Sequence, residues 1–407
     1  MADVNHVTDA DASIRGDEAI SVDGYLLEEQ CFERASTEQS IGSSTEQSST
    51  VSRAEHDLAG SDTEQSSVSS ISAHTTGSLA VGLESDQSVK ALLEAEDHTQ
   101  NYTIMETRLG ARGIVYRVRE GNSQVLALKR IWLPGLEEQF AENLRSAFRE
   151  ICLLRNMVWA SSVVVQVHDF WVERNFRSVS VVMEWLPLTL ADILKHCSKT
   201  VHPLHMDDTL RWASCMATGL TAVHSQLVMH RNINPRNIMF SEDLAQCKLA
   251  DFELSRELVR RSDDDDNHSC SSEYSHYTQA CGTVNYMSPE VMNGQKYSAS
   301  ADVYSLGCVF LRLMIIGWHI DLPADNITGE NGAATLMRAV SDDKVKKDLS
   351  DICVTMLASE PSRRPAALQV AWSTALAEYT RKLVAGTELS SVVHEPKHAE
   401  YSQEDLL

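Results

Sequence analysis

From Asn101 onward the apolar positions follow two regimes. NYTIMETRL (101–109), GIVYRVRE (113–120) and QVLALKRI (124–131) alternate apolar with polar residues, and Gly and polar residues separate them. Period-two alternation with such breaks predicts strands of an antiparallel meander. FAENLRSAFREICLLRNM (140–157) then sets Phe140, Leu144, Phe148, Ile151 and Leu154 at intervals of three and four, one face of a helix. VVVQVHDFWVE (163–173) and SVSVVMEW (178–185) read as strands again. Beyond Leu190 the periodic segments are helical: 208–226, 301–316, 348–358 and 366–382. The pattern predicts an α+β fold, with a small β-rich lobe carrying one long helix and a larger α-helical lobe after it.

The first 98 residues have no such pattern. They carry 20 Asp and Glu against 4 Lys and Arg, hold 18 serines, and contain only Tyr25 and Phe32 among the chain's aromatic residues. High net charge with so few aromatics cannot bury enough surface to offset chain entropy. Residues 1–98 are therefore expected to be a disordered acidic tail. TEQS recurs in it at 37–40, 45–48 and 63–66, at unequal spacings that exclude a solenoid repeat. Ser43 and Ser61 each have Glu three residues on, a pattern that suits phosphorylation by an acid-directed kinase. Tyr25–Leu27 with Phe32, and Val89–Leu93, are short apolar patches of the kind that dock on a partner. The last residues, 384–407, are polar and read as a flexible tail.

The net charge of −23 argues against a general nucleic-acid binder, which needs a basic surface, and against attraction to anionic membranes. The apolar run from Cys308 to Ile320 is too short for a membrane span. The N-terminus lacks the basic-then-apolar order of a secretory signal. Nine cysteines, with no CxxC pair, read as reduced thiols. A cytoplasmic or nuclear protein is the expectation.

Within the patterned region a few residues carry candidate chemistry. Gly110 and Gly113 sit between two strands, where glycine lets backbone N–H groups approach a phosphate and where a plain hairpin turn would also place it. Lys129 lies on a predicted central strand after Ala127, and a buried cation needs a partner. Glu150 on the following helix is the candidate. Asn237, in HRNINPRNIMF, and Asp251, ending the strand of KLADFELS, offer oxygen ligands for Mg²⁺ or form a turn pair.

Taken in order, the glycine loop, AxK, the helix Glu, HRxxxxxN, DFx, GTxxYMSPE, DVYSLG and RRP resemble the eukaryotic protein kinase domain over about residues 100–383. Asp251 follows Asn232 by 19 residues and Glu290 precedes Asp302 by 12, as in that family. The resemblance implies a bilobal fold over 99–383, with the lobes meeting at 184/185, and ATP with Mg²⁺ as cofactors. It places Lys129 on the α- and β-phosphates, paired with Glu150, and Asp251 and Asn237 on the metal. It implies that Val115 and Ala127 roof the adenine and Met239 floors it. Met183 becomes the gatekeeper, and the backbone of Glu184 and Leu186 faces the adenine edge. It makes Glu290–Arg364 a structural ion pair and Asp302 an anchor beneath the catalytic loop. Thr283, with Asn234-Pro235, resembles the serine/threonine branch.

The departures are concentrated where phosphoryl transfer occurs. The family's proton-accepting aspartate is Asn232 here, and its phosphate-steadying lysine is Asn234. The first loop glycine is Arg108, with Arg112 at the loop tip, and DFG is DFE, with Glu253. Between Asp251 and Glu290 lie an acidic run, Asp263–Asp266, and the phosphoacceptors Ser269, Ser271, Ser272, Ser275 and Thr278. Arg231, which meets an activation-segment phosphate in the family, is retained. The expectation is a nucleotide-binding pseudokinase acting on a protein partner as scaffold or allosteric regulator. A serine/threonine kinase of low or unusual activity on a protein substrate is the alternative, and a module that binds no nucleotide is the third reading.

Overall fold

The alternating segments form one antiparallel sheet, ordered β1-β2-β3-β5-β4. The strands are β1 (Tyr102–Leu109), β2 (Gly113–Glu120), β3 (Val125–Trp132), β4 (Val167–Glu173) and β5 (Ser178–Glu184). The computed structural model describes residues 99–395 apart from 110–112, 122, 134–136, 174–177, 201–202, 259–280, 321–328 and 341–342. The acidic tail, Gly110, Arg112, the Asp263–Asp266 run with its phosphoacceptors, and residues 396–407 lie outside the described residues.

Register in the sheet places the chemistry. Lys129 sits opposite Val115 on one side and Val181 on the other, and Ala127 sits opposite Met183. Helix α1 (Glu137–Asn156) covers one face of the sheet. Leu144, Phe148 and Ile151 pack there with Ile131, Val179 and Val181, all buried. Full burial of each such side chain stabilises the lobe by about 1.5–3 kcal/mol. The helical spacing of Leu144, Phe148, Ile151 and Leu154 is thus the spacing of a buried face. The side chain of Phe140, expected on that face, is outside the described residues.

The second lobe is helical: α2 (Leu190–Cys197), α3 (Met206–Ser225), α4 (Ser300–Gly317), α5 (Gly329–Ala339), α6 (Lys344–Met356) and α7 (Ala377–Val384). Thr189 starts α2 with a capping box, its side chain bonded to Asp192 N–H and the Asp192 carboxylate to Thr189 N–H. α4 is apolar on most sides, which marks a helix at the centre of a core. By length and composition it would pass for a membrane span, the only such helix among the described residues, yet 78% of it is buried inside the fold. The seven described cysteines are free thiols.

Short strands set the loops between the helices. β6 (Leu188–Thr189), β8 (Ile238–Phe240) and β9 (Cys247–Leu249) form a three-stranded sheet, and β7 (Val228–Met229) pairs with β10 (Arg256–Glu257). The segment 230–237 is held between β7 and β8, and Asp251 follows β9 closely. The tail expected from residue 384 does not begin there. Leu389 and Val393 are fully buried, so the packed chain continues at least to 393. Val384, Leu389 and Val393 are the buried residues of this stretch.

Candidate active site

Asp302, near the start of α4, organises the segment that leaves β7. Its two carboxylate oxygens accept the backbone N–H groups of His230 at 2.8 Å and Arg231 at 2.7 Å. His224 at the end of α3 meets the same carboxylate at 3.0 Å. Burial opposes charge on Asp302, but His224, His230 and the backbone N–H outweigh it and hold its pKa low. The His230 ring bonds to the Ala250 carbonyl and packs on Phe252, with ring centroids 4.5 Å apart. Burial, first of all, lowers the His230 pKa. Arg231 and Asp251 both adopt left-handed backbone, φ 66° and 63°. Non-glycine residues hold such angles only when their surroundings fix them.

Asn232 and Asn234 then form a closed polar cluster. Asn234 caps the helical turn Pro235–Asn237, accepting from Arg236 N–H at 2.9 Å. Its NH₂ donates to the Asn232 backbone carbonyl at 3.0 Å, to Asn232 Oδ1 at 3.1 Å and to Thr283 Oγ1 at 3.2 Å. Thr283 donates to Asn232 Oδ1 at 3.1 Å. The oxygen of Asn232 is thereby committed, and its NH₂ turns to Asp251 Oδ2 at 3.4 Å. Gly282 lets Thr283 come this close. Its φ is +110°, and a Cβ there would stand 2.6 Å from the Arg231 carbonyl.

Lys129 crosses between the lobes to Asp251, Nζ to Oδ1 at 3.0 Å. The expected pair with Glu150 is not formed. Glu150 Oε2 is instead buried without a hydrogen-bond partner, and the nearby Phe252 backbone N–H only partly offsets that burial. Burial, the main cause, pushes its carboxyl up to about 7, with Lys129 pulling the other way and Asp251 and Glu253 adding to the rise. Burial works against the charge on Lys129, yet Glu150, Asp251 and Glu253 surround it with negative charge and its pKa rises. Three carboxyl groups thus share one lysine. Asp251 lies nearest and takes the ion pair.

Asn237 donates through Nδ2 to the Asn232 carbonyl at 2.8 Å, so Oδ1 is the end it offers a cation. Asp251 and Asn237 present hard oxygen donors, the kind Mg²⁺ takes. Val115, Ala127 and Met183 lie on neighbouring strands of the sheet, Met239 lies on β8, and Leu186 is buried between the lobes' sheets in sequence. Glu184 does more than lend backbone. Its carboxylate accepts from Gln166 N–H at 2.9 Å and from Lys248 at 2.6 Å. Gly113 has a packing reason beyond phosphate approach, since a Cβ there would fall 1.9 Å from the Arg130 carbonyl of β3.

Beneath these groups Glu290 and Arg364 form a buried bidentate pair at 2.6 and 2.8 Å. Sequence reasoning missed Lys248 and His224 as parts of the site. Lys248 carried a usable signal: it is a cation in the short strand CKL between two buried residues, the same mark that singled out Lys129. His224 carried none.

Comparison with known sequences agrees with this geometry. Residues 108–374 match the family described as the protein kinase domain. A similar curated protein is the serine/threonine-protein kinase Nek8 of Danio rerio, 28% identical over 262 residues, which is 63% of this chain and 34% of that protein. The chain thus spans about a third of the length of this relative.

Proposed function

Because this chain belongs to the protein kinase domain family, we propose that it is a nucleotide-binding pseudokinase that works on other proteins as a scaffold or allosteric regulator in signalling. The observation that carries this is the state of Asn232. The residue in the proton-accepting position is a carboxamide whose oxygen is bound by Asn234 and Thr283 and whose NH₂ points at Asp251. A carboxamide has the outline of a carboxylate, but it is no useful base and one end of it is a donor.

Magnitudes support the reading. A positioned general base contributes on the order of 10²–10⁴ in rate. Loss of one electrostatic stabiliser, here the lysine replaced by Asn234, costs about 10²–10³. The two serve one transition state and need not add. A combined loss of about 10³ would reduce a rate of roughly 10 s⁻¹ to about 10⁻² s⁻¹.

ATP and Mg²⁺ are the cofactors in this reading. Asp251 and Asn237 would hold the ion, Lys129 would meet the phosphates, and the ion would neutralise phosphate charge. Glu253 adds negative charge beside this group, and Arg108 replaces a glycine, so binding is expected to be weaker than in a kinase with the full motif.

One observation favours the second reading, a serine/threonine kinase of low activity. Lys129, Asp251 and Asn237 remain together in the site, and phosphoryl transfer depends largely on positioning. A phosphotransfer assay separates the two. The wild type is compared with Asn232→Asp/Asn234→Lys, with Asp251→Ala as the blank. A silent wild type with an active double variant supports the pseudokinase. A wild type turning over peptide clearly above the blank overturns it. The proposed setting is the cytoplasm or nucleus, with phosphorylation in the acidic tail and in 259–280 tuning its contacts with protein partners.

A further inference from the structure

Arg108 replaces a loop glycine, and its side chain has an occupation of its own. Its guanidinium lies over the indole of Trp185, 5.1 Å from the ring centroid. Arg117 of β2 lies over the same ring at 5.4 Å. Two cations on one ring repel each other, and Glu106 of β1 contacts both, at 3.0 Å from Arg108 Nε and 3.9 Å from Arg117 Nη1. β1 shifts register between Ile104 and Glu106, and a bulge of that kind re-aims the residues that follow. Trp185 directly follows Glu184, whose carboxylate is fixed by Lys248 and Gln166. One end of the cluster is therefore tied to the segment that joins the lobes. The other end is the β1–β2 hairpin, which carries Gly113.

We propose that Glu106, Arg108, Arg117 and Trp185 form a latch that fastens the β1–β2 hairpin to the inter-lobe segment, and that its opening sets the rate at which nucleotide enters and leaves the cleft. This rests on the nucleotide-binding reading above. Glycine at position 108 would keep the strand pairing with Val115 but lose the contacts to Trp185 and Glu106. Arginine ties it down with charge and ring contacts that no strand pairing supplies. Arg108 and Trp185 are positioning residues here, since neither is placed against the phosphates or the metal. Each cation–ring contact at a partly exposed site favours the closed hairpin by about threefold to fivefold, so both together hold it by about tenfold.

Stopped-flow binding of a fluorescent ATP analogue with Mg²⁺ to the full chain tests this. Trp185→Leu removes both ring contacts and is expected to raise the association and dissociation rates together by about tenfold, with Kd changed by less than about twofold. Arg108→Gln is expected to raise both by about threefold. Trp185→Tyr, which keeps a ring, is expected to restore rates close to wild type. Unchanged rates in Trp185→Leu would overturn the latch, as would a weaker Kd with an unchanged association rate, the mark of an ordinary lost contact. Nucleotide binding by the wild type with unaltered rates in the variants sinks the latch alone. No binding in any protein sinks both the latch and the nucleotide reading. Binding only in Trp185→Leu would also overturn it, since a latch worth about tenfold cannot abolish binding in the wild type. Arg108→Gln is a partly exposed change, and with an unaltered melting temperature it carries the test if Trp185→Leu does not fold.

Discussion

Two sets of polar residues in the large lobe have met different fates. Beneath the catalytic loop the carboxylates of Asp302 and Glu290 are retained and bonded, Asp302 to the His224 ring and two backbone N–H groups and Glu290 to Arg364. In the loop itself, Asn232 and Asn234 are neutral amides bonded to each other and to Thr283. The lower set holds backbone and packs the lobe, while the upper set faces the place where phosphate would react. The contrast separates two demands on charge. The fold needs its buried pairs, because removing one partner strands the other in a poor solvent. The loop does not need its reactive charges to keep its shape, since Asn232 has the outline of an aspartate and Asn234, much shorter than a lysine, fills its position with satisfied hydrogen bonds.

The largest effect that tests this contrast is expected in the lower set. Arg364→Met leaves Glu290 buried without its partner and should cost about 3–5 kcal/mol in urea unfolding. A loss below about 1 kcal/mol would mean that the lower pairs are as dispensable as the upper charges. Gly113→Ala extends the comparison to the small lobe. Its Cβ would meet the Arg130 carbonyl at 1.9 Å, so a loss of about 1–3 kcal/mol is expected with no nucleotide present. Full stability with impaired nucleotide binding would return that glycine to a purely phosphate-facing role.

Glu150 gives a pH-dependent version. A carboxyl whose pKa rises from 4.5 to about 7 on folding binds its proton more tightly in the folded state. Stability is then lost as the pH climbs from about 4.5 through 7, and the cost is fully present above that. Glu150→Gln carries no charge at any pH. It should be the more stable protein at pH 8, by on the order of 1–3 kcal/mol, and no more stable at pH 4. Equal stability of the two proteins at pH 8 would remove the crowding of carboxyl groups around Lys129. The smallest effect is expected at Thr283→Val. It removes the hydroxyl shared by Asn232 and Asn234 and should cost about 0.5–1.5 kcal/mol by thermal unfolding. A cost as large as that of Arg364→Met would mean that the amide cluster is itself a pillar of the fold.

Most of the architecture was legible because it is written in periodicity. The alternation around Val115 and Lys129, and the three-and-four spacing of Leu144, Phe148 and Ile151, are local signals of which face is buried. The order of motifs likewise brought Lys129, Asn237 and Asp251 into one place. The pairing of Lys129 was not legible, because spacing fixes which carboxylates are near a lysine but not which of them wins it. Asp251 wins here, and Glu150 is left buried with an unpartnered oxygen. The roles of Thr283 and Trp185 were hidden for a related reason. Each acts across a gap of tens of residues, on a partner that no local pattern points to. Leu389 and Val393 show the converse error, in which a polar composition concealed two anchoring side chains.

The left-handed backbone at Arg231 and Asp251 has a consequence in mutational distance. Asp302 is among the surroundings that hold those angles, through the backbone N–H groups of His230 and Arg231. What separates this loop from the fully charged motif is confined to two side chains. Codons for Asn and Asp differ at a single base, and so do codons for Asn and Lys. Genetically, the neutral loop and the charged one are close neighbours.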